Sequence, residues 1–434
     1  MFKRLAFLFL SGVLVVTLLG IPQPAAAAAL PDAVQGQYIV VYKDDVPDPA
    51  AATSEIVGSQ GLSLLFEYSS ALKGFAAFIP DAQFDAVKND PRVDFISEDQ
   101  MVQAVGMVPV IKGEKIPTGV RRINAATTTT VHQASTVNVA VIDTGIILSS
   151  KDLYAVSGKN CVRAGRLAID DNGHGSHVAG TIGARNNGTG VVGVTPGTKM
   201  YAVKVLNSSG SGSWSQVICG IDWVTANAAR LKIKVVNMSL GGGGTNDNNC
   251  GKSNGDALHQ AICRSVAAGL TYVVSAGNGG TNLDTFVPAA YPEVLSVTAI
   301  TDSDGKAGGT GGAPTCYSGV DDQYAPFSNY AVTNAAASHT IAAPGVCILS
   351  DWKIGYNTRS GTSMASPHVA GTVALCFGNG GKAGPCTGLT PDLVIQKIRS
   401  DAAAHADASN GFTGDPNHSI PGKNFGYLVW AGGY

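Results

Sequence analysis

Four short segments carry the residue types that nucleophilic catalysis needs. In Val139-Ala140-Val141-Ile142-Asp143-Thr144-Gly145 a carboxylate ends an apolar run. A charge placed there is costly without a partner, so Asp143 either serves catalysis or caps a helix or holds a ligand. In Asp171-Asn172-Gly173-His174-Gly175-Ser176-His177 two glycines flank His174, letting the backbone approach closely and leaving the imidazole accessible. His177 could suggest metal ligation, but no Glu or third His accompanies the pair, and a packed structural histidine on the following helix is the simpler reading. Ser363 sits in Ser360-Gly361-Thr362-Ser363-Met364-Ala365-Ser366-Pro367-His368, small residues opening an apolar helix that runs to about Leu375. It is either a capping serine or a nucleophile beside the unpaired N–H groups of a helix start, which favour developing negative charge. Asn278, in Ser275-Ala276-Gly277-Asn278-Gly279-Gly280, is either an oxyanion donor or a left-handed turn residue.

The elements that must hold these residues are legible from period and punctuation. Val137–Ile142 is a near-continuous β-branched run, as for a strand buried on both faces of a parallel sheet. Similar runs recur at Met200–Leu206, Val235–Leu240, Tyr272–Ser275 and Val294–Ile300. Between them Trp214, Val217, Ile218 and Ile221 share one helical face, as do Leu258, Ala261, Ile262 and Val266, with Gly269 at the C-cap. Alternation of strand and helix predicts an α/β fold with a doubly wound, mostly parallel sheet, whose chemistry lies at the carboxyl ends of strands.

Residues 30–105 read differently, as a small α+β unit. Tyr38–Tyr42, Ala76–Ile79 and Val93–Ile96 are strand-like. Asp48-Pro49 opens a helix running toward Gly58, and Asp81 caps a second one carrying Phe84 and Val87. That order fits the split β-α-β, ferredoxin-like arrangement.

Composition narrows the class. With 54 glycines in 434 residues and only 14 % charged residues, the chain is turn-rich and charge-poor. A net charge of -2 speaks against nucleic acid as a partner, and 45 % apolar content against disorder. The eight cysteines all lie from Cys161 onward, without a Cys-x-x-Cys pair, which points to disulfides in an oxidising compartment rather than zinc. Short spacing favours Cys250–Cys263 and Cys376–Cys386; Cys316–Cys347 and Cys161–Cys219 are what remains. Lys3 and Arg4, the apolar stretch Leu5–Ile21 and the run Ala25–Ala29 make residues 1–29 a secretory signal peptide, with no later stretch apolar enough to span a membrane. The reading is a secreted monomer without a membrane anchor after signal removal.

Together the four motifs resemble the subtilisin-like serine proteases, from about Pro117 to the C-terminus. The chain order Asp, His, Ser is that family's order. By that resemblance Ser363 is the nucleophile, His174 the general acid/base, Asp143 its orienting carboxylate, and Asn278 with the Ser363 N–H the oxyanion hole. Because the base must be neutral, activity is expected to fall as pH drops below about 6–7. Ser239, Leu240, Gly241 and Gly242 resemble the family's substrate-binding edge, and Ala276 and Gly277 are further candidate substrate-binding residues by the same resemblance. Phe286 is a candidate to line or narrow the pocket for the residue before the cut bond. The sequence Gly251-Lys252-Ser253 is no phosphate loop, since Asn246 stands where a glycine is required.

The resemblance also implies a structural Ca2+ at Asp152, Arg185, Asn187, Thr189 and Val191, although its usual ligand near the mature N-terminus has no counterpart in the motifs. It further implies that residues 30–105 are an inhibitor-type propeptide, cut near Ala104–Met107, and that 106–434 form the catalytic domain acting on polypeptides. A processing protease with one target and a silent binding scaffold are the competing readings; the scaffold predicts a broken triad, and none is broken. The insertion Gly305–Asp322 carries no assigned chemistry.

Overall fold

The computed structural model describes residues 33–69, 73–100, 107–407 and 410–434. The proposed signal peptide and most of the proposed cleavage segment lie outside them. The described residues form two compact units, one up to Gln100 and one from Met107 onward.

The first unit runs β1 (Ala33–Tyr42), α1 (Pro49–Gln60), β2 (Ser63–Tyr68), β3 (Gly74–Phe78), α2 (Asp81–Lys88), β4 (Val93–Gln100). Its strands pair antiparallel in the order β2-β3-β1-β4, the ferredoxin-like arrangement expected. Asp48 caps α1 through its side chain to the Ala51 N–H at 3.0 Å, and Gly61 closes the helix in the left-handed conformation. Asp81 does not cap α2: Pro80 is the N-cap and Asp81 the first helical residue, where its charge meets the positive helix end. Strand β2 was not expected. Val40, Tyr42, Ile56, Phe75, Ala77 and Val87 form the core, while Leu64, Phe66, Phe78 and Phe95 stand exposed.

The second unit is built on β5 (Asn138–Asp143), β6 (Ala155–Asn160), α3 (His174–Gly183), β7 (Met200–Lys204), α4 (Trp214–Asn227), β8 (Ile233–Met238), α5 (Ala257–Ala267), β9 (Thr271–Ser275), β10 (Leu295–Thr301), β11 (Gln323–Tyr324), β12 (Thr340–Pro344), α6 (Thr362–Phe377) and α7 (Pro391–Ala404). The main sheet runs β11-β10-β9-β8-β5-β7-β6, with β12 also pairing β10; every pairing is parallel except β10 with β11. Successive residues of β5 point to opposite faces. Val139 and Val141 join Val178 and Ile182 of α3 and Val369 of α6 on one side. Ala140 and Ile142 join Val217 and Ile221 of α4 and Leu258 and Ile262 of α5 on the other.

From β5 the chain goes first to the edge strand β6, returns to β7 between the two, then crosses to β8 on the other side of β5 and continues outward through β9 to β10. The loops leaving β5 and β8 therefore diverge and open a crevice at their carboxyl ends. Asp143 ends β5, and Ser239 directly follows β8. Strands β6 and β12 escaped the sequence reading because edge strand β6 carries Ser157, Gly158 and Lys159 instead of an apolar run, and β12 is built from small residues. The four disulfides are Cys250–Cys263 and Cys376–Cys386, the pairs that short spacing favoured, and Cys161–Cys219 and Cys316–Cys347, the pairs that remained.

Candidate active site

Asp143 is fully buried and held by the Thr144 N–H, which donates to Oδ1 at 2.7 Å. His174, the first residue of α3, presents Nδ1 to that carboxylate at 2.8 and 3.0 Å. This contact depends on two glycines. Gly173 has φ +116°, and a Cβ there would lie 2.4 Å from Trp352. A Cβ on Gly175 would lie 2.1 Å from the Gly145 carbonyl oxygen, so only glycine lets α3 start against the end of β5. Asp170 ties the turn together: it accepts from the N–H groups of Asn172, Gly173 and Ser176 and from the hydroxyls of Ser176 and Thr144. Burial works against a charged His174, but the Asp143 carboxylate outweighs it, and the ring sits above the ordinary histidine range. With Nδ1–H committed to Asp143, Nε2 is the free basic atom.

Ser363 is the second residue of α6. Its hydroxyl donates to the Ser239 carbonyl at 3.2 Å, while the Ser239 hydroxyl donates to the Ser363 carbonyl at 2.9 Å. Asn237 donates to Ser239 Oγ at 2.9 Å and accepts from Ser366 at 2.8 Å, so four polar side chains fasten the end of β8 to the first turn of α6. Ser363 is not the helix cap; Gly361 occupies that position. Asn278 is not a left-handed turn residue either, since the positive φ belongs to Gly277. Its Oδ1 accepts from the Thr362 N–H and hydroxyl at 2.8 and 2.9 Å, which leaves its amide N–H groups for another acceptor.

His174, Asn278 and Ser363 line one cavity of about 640 Å³, together with Trp352, Arg359 and Met364. His174 also lines a second cavity of about 810 Å³, bounded by Leu206, Trp214 and the stretch Ser239–Gly243. Trp214 therefore does not join Val217 and Ile221 in the core as the helical period suggested; it stands over Gly242, where a Cβ would lie 2.9 Å from its ring. Ala276 and Gly277 are buried and line neither cavity; the Ala276 carbonyl accepts from Asn329 at 2.9 Å. Phe286 packs between Gly241 and Gly277, the two glycines where a Cβ would meet its ring. His177 is buried with Nε2 at 2.9 Å from the Ile348 carbonyl, and burial holds it down to about 3, as for a structural histidine.

At the proposed calcium loop, Asp152 is buried and accepts from Asn187 Nδ2, the Val191 N–H and the Tyr356 hydroxyl. Asn187 aims its nitrogen at Asp152 and its oxygen at Thr189, so it does not fit as an oxygen ligand. Glu114 was missed by sequence. Its Oε2 accepts from the N–H groups of Asn187 and Gly188, and its Oε1 is buried without a partner. Burial raises Glu114 and Asp152, and Asp152 adds to the shift at Glu114. Among the described residues no Lys or Arg pairs with either carboxylate, and the carbonyls of Arg185, Thr189 and Val191 accept no hydrogen bond. This donor set suits a hard divalent cation, with Glu114 in place of Asn187.

Residues 134–413 match the subtilase family of peptidases. The chain belongs to the subtilase family. Residues 37–104 match the peptidase inhibitor I9 family. Over 413 residues this subtilase is 34 % identical to an extracellular serine proteinase of Thermus sp. (strain Rt41A), covering 86 % of this chain and 90 % of that one. Subtilisin E of Bacillus subtilis is 33 % identical over 360 residues, 81 % and 82 % of the two chains. A crystal structure of a cold adapted subtilisin-like serine proteinase superposes with a TM-score of 0.54 at 29 % identity, over 74 % of this chain and 99 % of the other.

Proposed function

We propose that this subtilase is a secreted serine endopeptidase that matures by cutting itself, with residues 1–29 as signal peptide, 30–105 as inhibitory propeptide and 106–434 as catalytic domain. The observation that carries the reading is the Asp143–His174 pair opening onto the cavity that Ser363 and Asn278 share. Substrate binding turns the Ser363 hydroxyl from the Ser239 carbonyl toward His174 Nε2, which accepts its proton as Oγ attacks the scissile carbonyl. Asp143 stabilises the imidazolium. The amide of Asn278 and the Ser363 N–H meet the oxyanion, and Thr362 holds that amide in place beforehand. His174 then gives its proton to the leaving amine. Water, deprotonated by the same ring, releases the acyl group from Ser363.

An extended peptide pairs with the main chain of Ser239–Gly242, so affinity is largely independent of sequence. Leu206, Leu240 and Trp214 supply an apolar wall on one side of the cut, and Phe286, with Ala276 and Gly277 behind it, bounds the pocket for the residue before the bond. The larger cavity has no Asp, Glu, Lys or Arg in its lining, which favours a general protease over a dedicated one. A calcium ion at Asp152, Glu114 and the carbonyls of Arg185, Thr189 and Val191 would brace the loop that carries them. The enzyme acts as a monomer, and the propeptide is its own partner.

Expressing the full chain and Ser363→Ala side by side tests this. The parent should release its N-terminal segment and degrade unfolded protein, and the variant should do neither. Processing or hydrolysis retained by the variant would overturn the mechanism.

A further inference from the structure

The segment joining β10 to β11, residues 302–322, carries carboxylates at both ends and a glycine-rich middle. One carboxylate oxygen from each of Asp302, Asp304 and Asp321 falls in a cluster with all three within 4.8 Å of one another. The chain itself fixes these groups. Asp302 Oδ1 accepts from the Gly305 N–H at 3.0 Å, Asp304 Oδ1 from Lys306 at 2.9 Å, and Asp321 from the N–H groups of Ser303 and Gly311 at 2.8 and 2.7 Å. Asp302 is 1 % exposed, yet its Oδ2 has no hydrogen-bond partner.

Among the described residues, Arg121 and Arg122 only partly balance this charge. Arg122 is spent on Asp322 at 2.7 Å, on Asn410 and on the Gly411 carbonyl, and comes only to 4.0 Å from Asp302. Arg121 reaches the backbone carbonyl of Asp304, not its carboxylate. Burial pushes Asp302 up to about 7, with Asp322 and Asp321 adding to the shift against Arg122. Three carboxylates aimed together with an unsatisfied buried oxygen are expensive unless a cation joins them.

We propose that Asp302, Asp304 and Asp321 form a second divalent-cation site, filled by calcium, separate from the loop at Asp152. All donors are oxygens, with no histidine or thiol among them, which selects a hard ion. Carbonyls of the glycine-rich stretch and water complete its coordination. Cys316 in the same segment is bonded to Cys347, next to the strand Ile348–Asp351 whose first carbonyl holds His177. The ion thus fastens an insertion that leans on the support of α3, and so of His174.

The test uses the mature enzyme, blocked at its serine by a covalent inhibitor to stop autolysis. Parent, Asp304→Asn and Asp152→Asn proteins are stripped with chelator and titrated with calcium alone, counting bound ions and recording Tm. Asp304→Asn should bind one calcium fewer than the parent and lose part of the calcium-induced rise in Tm. In chelator it should melt no lower than the parent, because the change removes a crowded charge; this separates a lost ligand from a damaged fold. Asp152→Asn should retain the calcium that Asp304→Asn loses. An Asp304→Asn protein that binds as many calcium ions as the parent, at the same affinity, overturns the proposal.

Discussion

The two units solve the problem of stability in opposite ways. The N-terminal unit has one small core under one face of an antiparallel sheet, no cysteine, and exposed Leu64, Phe66, Phe78 and Phe95. The larger unit buries its parallel sheet on both faces and adds four disulfides. A unit of such size is marginal alone, which suits a segment meant to be discarded; the other must survive a medium full of proteases, its own activity included. Durability is concentrated where the catalytic groups are held.

That contrast can be broken most severely at the triad. Ser363→Ala and His174→Ala should each cost about 10⁶ in kcat, with the double variant no worse, as occurs in subtilisin itself when groups act as one unit. Single-turnover hydrolysis of a chromogenic peptide checks this; additive losses would mean the two residues work separately. Asn278→Ala should lower kcat by ~10²–10³ with KM little changed, the range known for subtilisin's own oxyanion donor. An effect on KM alone would place Asn278 in binding instead.

Much of this site was legible in the sequence because its demands are local. A histidine between glycines, a serine opening a small-residue helix and an asparagine after a buried strand each leave a signature over a few residues. What escaped acts across long sequence separations or through undistinguished residues. Glu114 meets Gly188 only in the fold. Asp170 is one acid among several, and nothing local marks its five hydrogen bonds. Thr362 and the Asn237–Ser366 pair look like ordinary small polar residues until β8 and α6 are packed. Trp214 has the period of a core residue, but the helix start carries it to the cleft wall. Strand β2 was missed because its apolar residues face out, so its pattern answers no core.

Reduction should sharpen the comparison further. In thiol, the larger unit should lose roughly 2–5 kcal/mol for a disulfide it depends on, and the isolated N-terminal unit, lacking cysteine, should unfold at the same denaturant concentration as before. Equal sensitivity would remove the distinction. A smaller effect is expected from chelator: loss of a calcium held at about a hundredfold excess over Kd should lower the mature enzyme's Tm by about 4 °C, and leave the N-terminal unit unmoved. Differential scanning calorimetry decides it.

The smallest effect concerns pH. His174 must be neutral to act, and Asp143 holds its affinity for protons above the usual histidine value. The acid limb of kcat/KM should therefore lie above about 6.5, with activity present on its alkaline side and lost as pH falls. Arg359 opposes the protonated ring, so Arg359→Ala should move that limb to higher pH. A limb moved to lower pH would show that Arg359 does not act on His174 through its charge.

The central claim is that His174, held by Asp143, makes Ser363 the one reactive serine. Intact mass and peptide mapping after treatment with a fluorophosphonate test it most directly. A single adduct on Ser363, formed by the parent and absent from His174→Ala, is the predicted result; an adduct on another serine, or equal labelling of His174→Ala, would contradict it.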